Sequence, residues 1–494
     1  MRNRFKNVAA MLNQIRQSTD FITYSMTDEK KRMLISYYKS LVDKEMLSKY
    51  VFKKTKDMNL RSHHIRDLKE LMERIPLSNM KLSNNPSEIE YHLLKGFAMI
   101  QLREGDDKCL LLNIASGQLG LRTENDTENE YSVVGPKIGF VENMDINLHL
   151  LRRVMNTTSL TIRDFVIGNQ SQTRVALVFL DGVTNEQHVN TMTERLKNIR
   201  FDVVFDNSQL DQLMSDNSKS PFPQFLSTER IDRVVYTLVN GQVALLTDGS
   251  PYVITGPTTI FDFFISPEDY YLPWVVGSFF RMIRMFGVLF SFLATSVYTA
   301  VVTFHYEMLP QDMLGPIIFS RVNVPFPPVI EVLFLEITIE LLREAGARLP
   351  TKVGQTLGIV GGIVIGQASV EAALTSNILL IIVALSALAS FTTPIFKMSN
   401  TIRFLRFPFI LMAAMWGGLG IVLAISFLLV HLMRLSSLGT PYMVPFYPLR
   451  VNNFADSFVR SPYSSLWKRP SFLRPKSSKR YNKQSAHKKR DIDE

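Results

Sequence analysis

The stretch Val353–Val370, VGQTLGIVGGIVIGQASV, lies between Lys352 and Glu371 and holds no charged residue. Gly354, Gly358, Gly362 and Gly366 recur every fourth residue, so on a helix they share one face and leave it bare enough for another backbone to approach. The opposite face carries Thr356, Val360, Val364 and Gln367 and ends at Glu371: polar, apolar, apolar, polar, acidic. A helix turned to lipid would be rich in Leu and Phe on its outer side. This one is built for the inside of a bundle. Its residues leave two readings open, a tightly packed but inert helix and a helix that lines a pore or pathway.

The sequence around it divides in two. The first ~280 residues read as soluble, and the next ~150 are dominated by long apolar runs. Met285–Phe304 is the first charge-free span. After it, Pro325, Pro327 and Pro328 stop the chain from being helical. Val329–Leu342 then carries Glu331, Glu336 and Glu340 among Leu, Ile and Phe. At about 1.5 Å per residue it would be about 21 Å long, short of a hydrocarbon core of about 30 Å. It reads as a re-entrant or interior helix, with an amphipathic surface helix as the alternative. Carboxylates at membrane depth are functional by default, which makes Glu336 and Glu340 candidate site residues. Ala372–Phe396 and Phe407–Met433 are further apolar runs, separated by KMSNTIRFLR.

The soluble part predicts an α/β domain of two subdomains. Residues 1–90 read as helical and charged. His63 and His64 are adjacent and point different ways on a helix, so they read as solvated rather than as metal ligands. Phe97–Leu102 and Cys109–Ile114 flank a polar turn and predict a hairpin. Arg174–Leu180 and Phe201–Phe205 predict strands, with a helix opened by Thr184 and Gln187 between them and a short one capped by Asn207 after them. Strand, helix, strand, helix implies an α/β unit over 91–226, closed by the linker Ser215–Phe225. Asn240-Gly241 between Val234–Val239 and Gln242–Thr247 predicts a second hairpin in 227–265, related to the first. Ser266-Pro267-Glu268-Asp269 opens an interfacial helix, 266–284, rich in aromatics and arginine. The membrane domain is expected over 285–434, and 435–494 as a basic, flexible, cytoplasmic tail.

The net charge is +10, concentrated toward the C-terminus, which suits anionic headgroups; no nucleic-acid-binding motif accompanies it. The single cysteine, Cys109, excludes an intrachain disulfide and a cysteine-based zinc site. No P-loop, dinucleotide fingerprint, nucleophile elbow or zinc-protease motif occurs. The reading is a protein that is not an enzyme and has neither cofactor nor metal. The N-terminal residues do not form a signal peptide, so the first domain is expected in the cytoplasm.

Several stretches together resemble one family: GPKIGFVEN, RVALVFLDG, SPFPQ, NGQVALLTDGSPYVI, FFISPEDYY, FHYEMLP, VPFPPVIEVLFLEITIELLREAGARLP, VGQTLGIVGGIVIGQASVEAAL and ASFTTPIF. In this order, from about residue 90 to 445, they resemble the A subunits of spore germinant receptors, the GerA family, of which the stage V sporulation protein AF is a close relative. The resemblance implies an integral protein of the spore inner membrane. Its implied partners are a transporter-like B subunit and a lipoprotein C subunit, in a complex that senses small nutrients and triggers germination. It further implies a homo-oligomeric, nutrient-gated ion channel. A transporter-like solute-binding subunit and a non-conducting signalling scaffold remain as alternatives.

Two expectations follow. With both ends cytoplasmic, the chain would cross four times, at 285–304, 353–370, 372–396 and 407–433, leaving Lys397, Arg403 and Arg406 on the outer side. With several copies around an axis, Gly354, Gly358, Gly362 and Gly366 would pack against a neighbouring helix. Val360 and Val364 would then form an apolar constriction, Thr356 and Gln367 would hydrate the pore, and Glu371 would ring one mouth.

Overall fold

The computed structural model describes residues 7–28, 31–53, 67–77, 79–115, 130, 134–349, 362, 364–454 and 456–481. The pair His63 and His64 and the glycine-rich positions 354, 356, 358 and 360 lie outside the described residues. An N-terminal α/β region of two sheets leads into a C-terminal helical region.

The first sheet holds β1 (Phe21–Asp28), β2 (Lys31–Tyr38), β3 (Lys81–Ser83), β4 (Phe97–Gln101) and β5 (Cys109–Asn113) in the order β1-β2-β4-β5-β3, antiparallel throughout. The second holds β6 (Leu160–Ile167), β7 (Thr173–Leu180), β8 (Leu226–Thr228), β9 (Val243–Thr247) and β10 (Val253–Gly256) in the order β6-β7-β9-β10-β8. The two orders are the same, so the region contains one topological unit twice. Side chains alternate across each sheet, as the two-residue period of a strand requires. Ala98, Ile100, Leu110 and Leu112 face one core, and Met99, Cys109 and Leu111 face another formed with α1 (Val8–Ile15) and α3 (Pro86–Leu93); α2 (Leu68–Arg74) closes the first. In the second sheet, Val178, Ala244 and Leu246 meet α4 (Met144–Val154), while Leu177 and Leu245 meet α5 (Glu186–Asn198) and α6 (Asn207–Met214).

Several local expectations need correction. Residues 1–90 contribute a hairpin and an edge strand as well as helices, because β1 and β2 bring their own alternating apolar residues to the first sheet. Asn240-Gly241 does not turn a hairpin. It ends helix α7 (Ile231–Asn240), with Gly241 at φ 102° capping the helix in the left-handed conformation that glycine adopts without a Cβ clash. The hairpin equivalent to β4–β5 is therefore β9–β10. Phe201–Phe205 forms no strand; its backbone meets the β6–β7 turn, with Gln170 N donating to Asp202 O (2.8 Å). The caps of α5 and α6 fall one residue from the expected positions, on Asn185 and Asp206, whose carboxyl or amide oxygens reach the free amides of the first turn.

The two halves of the α/β region join through buried polar contacts. Arg152 of α4 makes a bidentate pair with Asp20 (2.7 and 2.9 Å), its guanidinium lies 4.5 Å from the centre of the Tyr38 ring, and Ile162 N donates to Ser18 Oγ (3.0 Å). His149 Nδ1 meets Ser40 O at 2.9 Å, and burial lowers the pKa of its imidazole.

The helical region starts with α8 (Trp274–Phe304), one continuous helix that joins the expected interfacial helix to the first span. Pro273 stands immediately before it, at its N-cap. At 31 residues it is about 46 Å long. Next come α9 (Gln311–Arg321), α10 (Pro328–Arg348), a helical stretch at 364–371, α11 (Asn377–Ser390) and α12 (Phe396–Arg434). Helices α8 and α12 are long and apolar enough to cross a membrane, by length and composition.

Helix α12 is not one rod. Gly417 stands at φ 58°, ψ −135°, and the chain reverses there. Thr401 Oγ1 donates to Pro221 O (2.6 Å), and His431 Nε2 lies 2.9 Å from Ser220 Oγ. A straight helix would hold residues 401 and 431 about 45 Å apart; both instead touch the same loop of the α/β region. The run 407–433, expected to cross once, is thus divided between two antiparallel arms. Gly420 lets them close, since a Cβ there would sit 1.9 Å from Met412 O. The far end of the hairpin meets the end of α8, where Gly418 N donates to His305 Nε2 (3.1 Å).

The tail does not hang free through residue 481. Tyr442 is fully buried, its hydroxyl donates to Pro223 O (2.7 Å), and its carbonyl accepts from Ile260 N (2.9 Å). Asp216 accepts from Ser436 Oγ and from the amides of Leu438 and Gly439. Further on, Arg469 Nε donates to Val239 O (2.7 Å) and Lys476 pairs with Glu186. A basic composition favours a solvated chain, but Tyr442, Phe454, Phe458 and Leu473 are spaced through it as apolar anchors, with the Phe458 ring tilted against Phe261 at 5.0 Å between centres.

Candidate functional site

Pro327 and Pro328 end the extended segment and begin α10, since proline fits the first turn of a helix where no amide donor is needed. The helix carries Glu331, Glu336 and Glu340 along about 13 Å of its length, with Glu336 and Glu340 one turn apart on one face and Glu331 turned to another. Each carboxylate meets an arginine from elsewhere in the chain. Glu331 accepts from Arg321 (2.8 Å) and from Ser376 N (3.3 Å), the N-cap of α11. Glu336 pairs with Arg406 on the first arm of α12, and both are within 1% of complete burial. Arg406 also donates to Ser291 Oγ (3.1 Å) on α8 and to Ser386 O (3.4 Å) on α11. Glu340 pairs with Arg403 (3.2 Å) and Arg343 (3.6 Å), and Arg343 reaches Ser390 Oγ (3.3 Å) and lies over the Phe391 ring.

The rungs therefore tie α9, α10, α11 and the first arm of α12 together, with α8 joined through Ser291. A buried charge is tolerated where it is paired and hydrogen-bonded, and removing one partner leaves the other stranded. Four guanidinium groups face three carboxylates. Glu336 Oε1, the Nε atoms of Arg403 and Arg406, and the hydroxyls of Thr295 and Ser296 are buried without a partner atom in the described structure. The bundle interior is polar at its centre.

Glu336 and Glu340 lie close together, as their four-residue spacing requires, and one turn further Glu344 pairs with Arg348 at the exposed end of α10. Lys397, Arg403 and Arg406 do not form a loop away from the α/β region. Lys397 pairs with Asp211 of α6 (2.6 Å), at the near end, and the two arginines point into the bundle. Their long side chains and the helical continuity of KMSNTIRFLR carry them there; a charge count along the sequence cannot separate a loop from an interior face.

Only part of the glycine helix is described. Gly366 is seated on the Leu380 side chain of α11, where a Cβ would make ordinary contact at 3.6 Å. Gly362 meets nothing within 4 Å. Val364, Gln367 and Glu371 are exposed, with Gln367 Nε2 donating to Glu371 Oε1 (2.8 Å). Thr356, Val360, Gly354 and Gly358 lie outside the described residues. The helix ends where Ala373 turns the chain and Ser376 Oγ, 3.2 Å from Tyr298 OH, caps α11 at the far end of the bundle.

The chain is similar to known proteins. The Bacillus/Clostridium GerA spore germination protein family matches residues 9–472. The spore germination protein GerQA of Bacillus cereus is 47% identical over 98% of this chain and 96% of its own. Spore germination protein A1 of Bacillus subtilis (strain 168) is 35% identical over 92% of this chain and 93% of its own. Among solved structures, the N-terminal domain of the A subunit of the Bacillus megaterium spore germinant receptor GerK3 covers 50% of this chain and 91% of that one, with a TM-score of 0.38 and 24% identity. The chain belongs to the GerA spore germination family.

Proposed function

We propose that this chain is the membrane-embedded A subunit of a nutrient germinant receptor, and that several copies form an ion channel in the spore inner membrane together with a transporter-like B subunit and a lipoprotein C subunit. The observation that carries this reading is the division of one helix. Gly366 packs inside the subunit against Leu380, while Val364, Gln367 and Glu371 on the other side are left uncovered. An uncovered face of this polarity suits a channel axis shared between copies. Val360 and Val364 would be the constriction, Thr356 and Gln367 its hydrated flanks and Glu371 a cation-favouring ring. Gly354, Gly358 and Gly362 would pack against a neighbouring helix of the assembly, Gly362 being open within this chain.

The chain direction supports an even number of passes. The α/β region and the tail pack on each other, so both lie on one side, which the basic tail marks as the cytoplasmic side by the positive-inside rule. Helix α8 leads away from that side and α10 returns, since Arg343 lies beside Ser390 near Lys397. From the near-side end of α10 the chain must next reach Ser376 on the far side; α11 returns, and the two arms of α12 go out and back. This gives six passes in place of four. It also puts Lys397 on the cytoplasmic side, which removes the charge conflict of the four-pass arrangement.

The pairing of Glu336 and Glu340 with arginine weighs against an open solute site at these carboxylates. Purified chain reconstituted in liposomes and assayed for cation flux tests the reading. Flux that changes with the side chain at position 364 supports it; an assembled oligomer that conducts nothing, with or without its partner subunits, overturns it.

A further inference from the structure

A cavity of about 1040 Å³ lies at the junction of α7, the 3-10 turn Pro267–Tyr270 and the tail. Its wall is mainly apolar and aromatic. Tyr236 and Tyr270 stand 4.9 Å apart, their hydroxyls 3.0 Å from each other and both donating to Asp456. Trp467 of the tail lines the cavity, with Lys468 Nζ 4.5 Å from its own ring centre. The Arg480 guanidinium lies over Tyr236 at 5.6 Å.

The charges around the cavity are not equally committed. Asp232 is paired with Arg230, Asp262 caps its own turn, and Asp456 holds the two tyrosines and Arg281. On the cationic side, no carboxylate among the described residues pairs with Lys468 or Arg480. Arg480 Nε and Asn453 Nδ2, both in the wall, are buried donors without a partner. A buried donor is normally satisfied by protein, water or ligand, and an aromatic cleft with a few convergent polar groups is the usual form of a small-molecule site.

We propose that this cavity binds a small organic anion, with a flat apolar body against Tyr236, Tyr270 and Trp467 and a carboxylate or phosphate accepting from Arg480, Asn453 and Lys468. A site of this volume takes a ligand larger than a single ring. Because Asp456 also bonds Arg281 of α8, and Asp269 bonds Arg281 and Arg284, the ligand would sit one side chain from the base of the first bundle helix. The site is separate from the channel axis, and its occupancy is independent of whether the oligomer conducts.

The chain has three tryptophans. In full-length protein carrying Trp274→Phe and Trp416→Phe, in phosphatidylcholine nanodiscs, Trp467 is the remaining emitter. Titration with 2-naphthoate and with phenyl phosphate should change its emission saturably, and 2-naphthalenemethanol, the same body without charge, should bind about tenfold more weakly. Arg480→Gln should weaken both anions about tenfold while leaving the alcohol unchanged. Repeating the titration in phosphatidylglycerol nanodiscs separates the sources: lost anion binding identifies a lipid headgroup as the occupant, and retained binding identifies a free solute. Since Arg480 also bonds Asn240 and its loss could loosen the tail, Arg480→Lys, which keeps the charge, should restore most of the affinity. No saturable response to either anion, or equal affinity in wild type and Arg480→Gln, overturns the proposal.

Discussion

Arg406 and Glu336, seventy residues apart in the chain, meet inside the helical bundle with both side chains almost wholly buried. Each comes from a different helix, and Arg406 also holds a hydroxyl of α8 and a carbonyl of α11. A salt bridge so far from water contributes through the order it imposes more than through net attraction, because desolvation offsets much of the Coulomb gain. Breaking it from one side is another matter.

Glu336→Gln leaves the Arg406 guanidinium buried against a neutral amide. The expected loss is about 3–5 kcal/mol, read as a lower thermal midpoint in detergent. A double change, Glu336→Leu with Arg406→Met, should recover most of it, because two apolar groups of similar size remove both buried charges. A single variant as stable as wild type would show that the pair holds nothing together. Glu340→Gln should be milder, since Glu340 is half-buried and Arg403 and Arg343 keep other partners.

The reversal at Gly417 makes a topological prediction. Leu419 is exposed at the far end of the hairpin. Leu419→Cys should react with a membrane-impermeant thiol reagent applied from outside, once Cys109 has been replaced. If 407–433 crossed as one straight helix, position 419 would lie at mid-membrane and stay unlabelled. Gly420→Leu should abolish folding of the hairpin, because the first added carbon already collides with Met412 O.

At the axis proposed above, Val364→Ser should let water in and speed cation leak without nutrient about tenfold, the effect of lowering a barrier by about 1.4 kcal/mol. A bulkier residue at position 360 or 364 should slow flux. Gly366→Leu should act through assembly of the subunit, since that glycine faces Leu380. Cysteine accessibility along 353–371 reads the orientation: labelling of the glycine face with sparing of 364, 367 and 371 would move the pore to another helix.

Asp145 links the two halves of the α/β region, taking Lys44 (2.9 Å) from one and Arg174 (2.9 Å) from the other. Partial burial pushes its carboxyl up, but bonds to Lys44 and Arg174 outweigh this and hold it down at about 2, below the ordinary 3.8. The folded form therefore favours the ionised group. Its contribution is fully present above pH 3.8 and is lost as pH falls through about 2. Asp145→Asn should lower stability modestly at neutral pH, and the difference from wild type should vanish toward pH 2. A gap that stays constant across that range would assign the effect to packing.

Tyr442 tests the docked tail. Tyr442→Phe removes the bond to Pro223 O and should cost about 1 kcal/mol, while Tyr442→Ala should cost about 3–5 kcal/mol through the cavity it leaves. Limited proteolysis should cut the alanine variant within 436–481 under conditions that leave wild type intact there.

The sequence by itself determined what acts over a few residues. The charge-free runs marked the helical region, the continuous apolar run in Arg174–Leu180 marked a buried strand, and the ordered motifs marked the family, because burial and capping depend on neighbours within a turn or a pleat. It also placed Glu336 and Glu340 together, since four residues make one helical turn. Tertiary structure alone decided which arginines answer those glutamates, because Arg403 and Arg406 lie on another helix and sequence spacing says nothing of that approach. It decided that Asn240-Gly241 closes a helix, where a left-handed glycine serves a helix end as well as a hairpin and the packing of Val234 and Leu238 against the second sheet selects the helix. And it decided that Phe396–Arg434 folds back at Gly417. The hydropathy of the two arms is continuous, so only the meeting of Thr401 and His431 at one loop reveals the turn: an apolar run records that a segment is buried, and long-range contact fixes the direction in which it runs.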